Sequence, residues 1–175
     1  TLFRSCDDLS TAELTVQLLE HNQPSYTRTA RNKTPRLYDE ESSRSLKIGK
    51  GSILRDGDDV AIIACGVMVY KAMKVADILQ ADGISTTVID MHTIKPLDTE
   101  LVSDLARRCN GIVTVEDHSV IGGLGSAVAS HLSTTNPTRI KMLGVNDRFG
   151  ESGGSEELLE LMNLDISRSE EHTSE

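Results

Sequence analysis

No stretch of this sequence approaches the ~18 consecutive apolar residues that a membrane-crossing helix needs, and its opening residues do not read as a secretory leader. Basic residues are in deficit. Lys and Arg number 18 against 27 Asp and Glu, a formal net charge of −9. A nucleic-acid or anionic-membrane surface needs a basic face, so neither partner is expected. Small anionic ligands stay open, because one local arginine serves them. Cysteine is scarce and odd in number: Cys6, Cys65 and Cys109, with no C-x-x-C spacing. That excludes a disulfide framework and a thiolate metal knuckle, and buried free thiols in a reducing, cytoplasmic compartment are expected. No H-x-x-H or H-E-x-x-H pair occurs, so a protein-held metal is not expected. Internal repeats and low-complexity segments are also lacking.

What is present fits one globular domain. The 175 residues suffice for a single proper core, and 38% hydrophobic with 26% charged residues is ordinary composition. The ends stand apart. "TLFRS" (1–5) and "RSEEHTSE" (168–175) resemble translated sequencing-adapter DNA. The expectation is therefore two disordered, non-native tails (1–5 and 166–175) on a fragment of a longer protein.

Between the tails the pattern becomes regular. "TAELTVQLLEHN" (11–22) puts Leu14, Leu18 and Leu19 on one helical face, with Ser10 as its expected cap. "PSYTRTAR" (24–31) reads as a short strand ending near Arg31, and the charged stretch 32–46 as a linker. "DVAIIAC" (59–65), "STTVIDM" (85–91), "GIVTVED" (111–117) and "TRIKMLGV" (138–145) are strand patterns, with "GSILRDG" as an added edge strand. Helical stripes alternate with them: Met68 to Leu79, closed by Gly83; Leu101 to Cys109, capped by Asp98; Leu124 to Leu132; and a last helix from Ser155. This alternation predicts an α/β fold, a mostly parallel sheet with right-handed crossovers.

Three features carry candidate chemistry. "VIGGLGSAV" opens a helix after a strand, as a phosphate cradle would, but its glycines stand as G-G-x-G. The acid that a dinucleotide fingerprint places about 20 residues on is missing from "TTNPTRI". Close packing of helix on sheet, with a glycine permitting positive φ, is the reading preferred. Glu116, Asp117 and His118 end a parallel strand, where functional residues collect; acid–base chemistry, an active-site rim or interface, and a solvated loop stay open. Arg31, with Arg28 three residues before it, is either a surface charge or a bidentate phosphate ligand. His92 and His131 carry no converging partner pattern.

"PSYTRTAR", "DMHTIKPLD", "IVTVEDHSVIGGLGSAV" and "SEELLELMNLD", in this order, resemble the C-terminal part of the thiamine-diphosphate-dependent transketolase family. The resemblance implies that residues 6–31 end a pyrimidine-binding domain. Residues 47–165 would then be a C-terminal domain: three layers, a mostly parallel five-stranded sheet with helices on both faces. It implies ketol transfer between sugar phosphates by the intact enzyme, using thiamine diphosphate and a divalent cation (magnesium or calcium). The partners implied are upstream thiamine-binding domains and a second copy in a homodimer. Arg31 matches the family's substrate-phosphate arginine, and Glu116, Asp117 and His118 would edge the active site or an interface. The family's G-D-G…N-N signature for diphosphate and metal is not in this sequence, nor is the segment carrying its activating glutamate. The fragment is therefore expected to support the dimer, to hold no cofactor and to be inactive alone. A 2-oxo-acid dehydrogenase beta subunit, a deoxyxylulose-phosphate synthase, and a stand-alone anion-binding or assembly module are the alternatives.

Overall fold

The computed structural model describes residues 1–164. The expected tail at 166–175 lies outside the described residues. Two sheets form. The larger has the strand order β3 (Ser52–Arg55), β5 (Thr86–Asp90), β4 (Val60–Ala64), β7 (Gly111–Ser119), β8 (Ile140–Val145). All of its neighbours run parallel except β3, which pairs antiparallel at one edge.

The central strands read as unbroken apolar runs because both of their faces are covered. Period-two alternation divides β4, sending Ile62 and Ala64 to one face, Ala61 and Ile63 to the other. In β7, Val113 and Val115 part from Ile112 in the same way. α3 (Met68–Ala81) packs on the first face, joined by Leu159 and Met162 from α6 (Ser155–Leu161) and the turn after it. α4 (Thr99–Arg108) and α5 (Leu124–Thr135) cover the second face through Val102, Leu105, Leu124, Val128 and Leu132. The expected three-layer, mostly parallel five-stranded sheet is what forms.

The helix boundaries follow local chemistry. The Asp98 carboxylate accepts from Leu101 N and starts α4, as its position predicts. α1 (Asp8–Glu20) begins earlier than its leucine stripe suggests. Its cap is Asp7, not Ser10; Ser10 is the N3 partner of a capping box, its hydroxyl accepting from Asp7 N.

The N-terminus corrects an expectation. Residues 1–5 do not form a disordered tail: β1 (Leu2–Arg4) lies between β2 (Tyr26–Arg28) and β6 (Thr93–Lys95) in a three-stranded sheet. Phe3 is fully buried with Leu14 of α1, and this apolar burial offsets the cost of ordering the strand. "PSYTRTAR" is a strand only over Tyr26–Arg28, so Arg31 lies beyond its end. The segment 32–46 carries the short α2 (Glu40–Ser43) and buries Tyr38 and Leu46 against the first face of the larger sheet. Cys6, Cys65 and Cys109 are buried and unpaired, as their spacing predicts.

Candidate functional site

β7 delivers Glu116, Asp117 and His118 to the carboxyl end of the sheet, where the glycine turn follows. Successive strand residues point to opposite sides, so Asp117 parts from Glu116 and His118. Glu116 points inward and is buried. Its Oε2 accepts from Leu124 N at 2.8 Å, and its Oε1 from Gly125 N at 2.9 Å. These are amides of the first turn of α5, a helix whose own N-cap, Gly123, offers no side-chain acceptor. A carboxylate eight residues upstream therefore caps the helix. Burial raises the Glu116 pKa above the ordinary carboxylate range, while the two amides pull it back.

This contact explains the glycines. A Cβ built on Gly123 would stand 2.1 Å from Glu116 Oε2, leaving no room for both. Gly125 has the packing role: its Cβ would meet Thr114 Oγ1 at 2.7 Å and Met142 at 2.8 Å, so the helix lies close on the sheet. Gly122 supplies the positive φ, at 75°. The turn has the outline of a phosphate cradle, but Leu124 N and Gly125 N are taken by the protein's own carboxylate, and Ile121 N and Gly122 N donate to the hydroxyls of Ser119 and Ser126.

Asp117 turns to the other side and binds Arg4, whose Nη2 donates to Oδ2 at 2.8 Å. His118 is exposed, and its Nδ1 donates to the Ser119 carbonyl at 3.0 Å. Among the described residues no hydrogen bond joins the imidazole to either acid, so the cluster is not a relay. Glu116 and His118 do line one cleft of about 470 Å³ at the seam of the two sheets. Arg28 reaches that cleft, and Arg31 does not. Alternation was the available signal, since Tyr26 and Arg28 share one face of β2 and both line it. Arg31 is exposed, three residues beyond the strand. Its neighbours Ala30 and Asn32 line a second cleft, of about 920 Å³, beside α1.

His92 and His131 hold structure. His131 Nε2 meets Ser103 Oγ at 2.7 Å, joining α5 to α4. His92 is buried against Thr93 Oγ1, and burial pushes its pKa down to about 4. Among the described residues no group of three or more His, Cys, Asp or Glu converges as a cation site would require. With the glycine turn filled by Glu116, the residues present do not fit a diphosphate–cation pair. No described helix is long and apolar enough to cross a membrane.

The profile of the family described as "Transketolase, C-terminal domain" matches residues 49–168. The chain belongs to the transketolase family. It is 42% identical over 149 residues to the putative transketolase C-terminal section of Methanocaldococcus jannaschii, covering 85% of this chain and 46% of that protein. It is 46% identical over 119 residues to 1-deoxy-D-xylulose-5-phosphate synthase of Trichormus variabilis, 67% of this chain and 19% of that one. A solved structure titled "Split gene transketolase, inactive beta4 tetramer" superposes with a TM-score of 0.94 at 38% identity, over 99% of this chain and 56% of that one. The chain thus spans about half of two of these transketolase-family proteins, and a fifth of the third.

Proposed function

We propose that this chain is the C-terminal part of a ketol-transferring transketolase that completes its active site with a thiamine-diphosphate-binding part supplied by other polypeptide. The observation that carries the reading is the likeness to the split-gene transketolase over 99% of this chain. The filled glycine turn supports the division of labour: this part scaffolds the assembly, and the other binds diphosphate and cation. When bound there, thiamine diphosphate supplies the electron sink of ketol transfer. The assembled protein is proposed to be cytoplasmic, to contain two copies of this chain as a homodimer of the C-terminal part, and to act on sugar phosphates of the pentose phosphate pathway.

Co-expression with the thiamine-binding part tests this. The pair should convert xylulose 5-phosphate and ribose 5-phosphate into sedoheptulose 7-phosphate. A pair that instead makes deoxyxylulose phosphate from pyruvate and glyceraldehyde 3-phosphate would move the chain to the synthase branch, which the 46% identity keeps in view.

Arg31 is proposed as the substrate-phosphate ligand of the assembled enzyme. Its exposure in this chain leaves the guanidinium free to be covered by the other part. Arg31→Ala in the active pair should raise KM for phosphorylated sugars about 10- to 100-fold, the loss of a charge-assisted contact, and leave kcat much less changed. An unchanged KM would make Arg31 a surface charge. Glu116, Asp117 and His118 are proposed as rim or interface residues, with Glu116 acting only through the helix that it caps.

A further inference from the structure

Asp90 ends β5 in the middle of the molecule and is fully buried. Its Oδ2 accepts from Tyr38 Oη at 3.0 Å and from Cys6 Sγ at 3.3 Å. Oδ1 has no hydrogen-bond partner among the described residues. The two donors belong to different stretches of chain: Cys6 leads into α1, and Tyr38 lies in the connection before α2. Asp7 stands next to Cys6, and its carboxylate accepts from the N–H groups of Ser10, Leu37 and Tyr38, holding both stretches together. Cys6 and Tyr38 thus close over Asp90 as a cover.

The charges around this carboxyl are one-sided. Its titratable neighbours are Cys6 and Asp7 before α1, Tyr38 on the connection and Cys65 just after β4, while His92 follows two residues later in the chain. Both thiols and the phenol are neutral, burial having pushed all three pKa values up; His92 is neutral; and Asp7 brings a second negative charge. No ion pair joins Asp90 to a cation among the described residues. A buried carboxylate with no counter-ion is costly, whereas the protonated acid is tolerated.

We propose that Asp90 is a pH-sensitive clasp, closed over by the Cys6 and Tyr38 segments while its carboxyl is protonated and released toward water when it ionises. Lifting the cover hydrates the carboxylate, so ionisation favours the open form. The pKa of Asp90 in the closed form is raised by burial to about 7, against an ordinary value near 4 once open. The closed form therefore holds the extra proton between these values. Its advantage is complete below about pH 4 and falls as pH rises, until it is gone above about 7. His92 acts in the opposite sense over about 4 to 6.5, because unfolding lets it take up a proton. Whole-protein stability mixes the two, so the reading must be local and referred to a variant.

Hydrogen exchange on the full chain, corrected for intrinsic rates between pH 5 and 8.5, gives that reading. Protection of the α1 amides and of residues 37–46 should fall up to about tenfold per pH unit toward pH 7 and then level. Amides of β4 and β7 should not follow. Asp90→Asn, which keeps an acceptor for Cys6 and Tyr38, should flatten the dependence. A flat wild-type profile, or an equal slope in Asp90→Asn, would overturn the clasp. If the variant does not fold, carbon-detected titration of the Asp90 carboxyl in wild type decides: a midpoint near 7 supports the clasp, and one near 4 rejects it.

Discussion

Gly123→Ala is expected to destabilise this chain by about 3 to 5 kcal/mol, lowering Tm by roughly 10 °C. The backbone is not the reason, since φ at this position is −93°, open to any residue. The cost is steric and then electrostatic. The new methyl would lie 2.1 Å from Glu116 Oε2, and that carboxylate cannot step aside without releasing Leu124 N and Gly125 N in a buried setting. Overpacking costs about 1–3 kcal/mol, and each abandoned amide about as much again. Glu116→Ala should cost about 3 kcal/mol by leaving the same amides unpaired.

The double variant separates this account from a general intolerance of side chains in the turn. With residue 116 shortened, the methyl at 123 loses its chief obstacle, although the Ser119 carbonyl at 2.6 Å still crowds it. Glu116→Ala with Gly123→Ala should therefore cost about 1–2 kcal/mol less than the two single changes added together. Thermal or urea unfolding measures this. Strict additivity would mean that the glycine and the carboxylate are not coupled. If the turn were a phosphate site, Gly123→Ala would weaken ligand binding and leave the stability of the free chain nearly unchanged.

The second large effect concerns activity. Incubated with thiamine diphosphate, magnesium, xylulose 5-phosphate and ribose 5-phosphate, this chain alone should make sedoheptulose 7-phosphate at least about a thousandfold more slowly than the reconstituted pair. The deficit follows from the site. No described cluster of acids converges to hold a cation, and the turn most suited to a phosphate is closed from within. Adding the thiamine-binding part should restore turnover with saturation in that part's concentration. Turnover by the chain alone at a comparable rate would place a complete reactive centre in these residues.

The parallel sheet was legible because its signals are local. "VAIIA" and "IVTV" are apolar on both faces, Asp98 stands immediately before α4, and Gly83 follows α3 with a positive φ of 81°. The three-stranded sheet was not. A three-residue strand carries no periodicity, and β1 exists only through partners more than 20 residues away in β2 and about 90 away in β6. In the candidate site, the glycines did announce close packing, and the strand did deliver its acids to the carboxyl end. Which acid turned inward was hidden, since an exposed glutamate and one capping a helix look alike in sequence. The same limit concealed Asp90, a strand-ending aspartate whose donors come from residues 6 and 38. It also placed Arg31 on the strand, although pairing stops at Arg28.

Calorimetric titration of thiamine diphosphate with magnesium into the isolated, folded chain bears most directly on whether the reactive centre resides elsewhere. No saturable heat should develop up to about 1 mM ligand, while the same titration into the reconstituted pair should show a defined site. One-to-one binding to the isolated chain at micromolar affinity would contradict the proposed division.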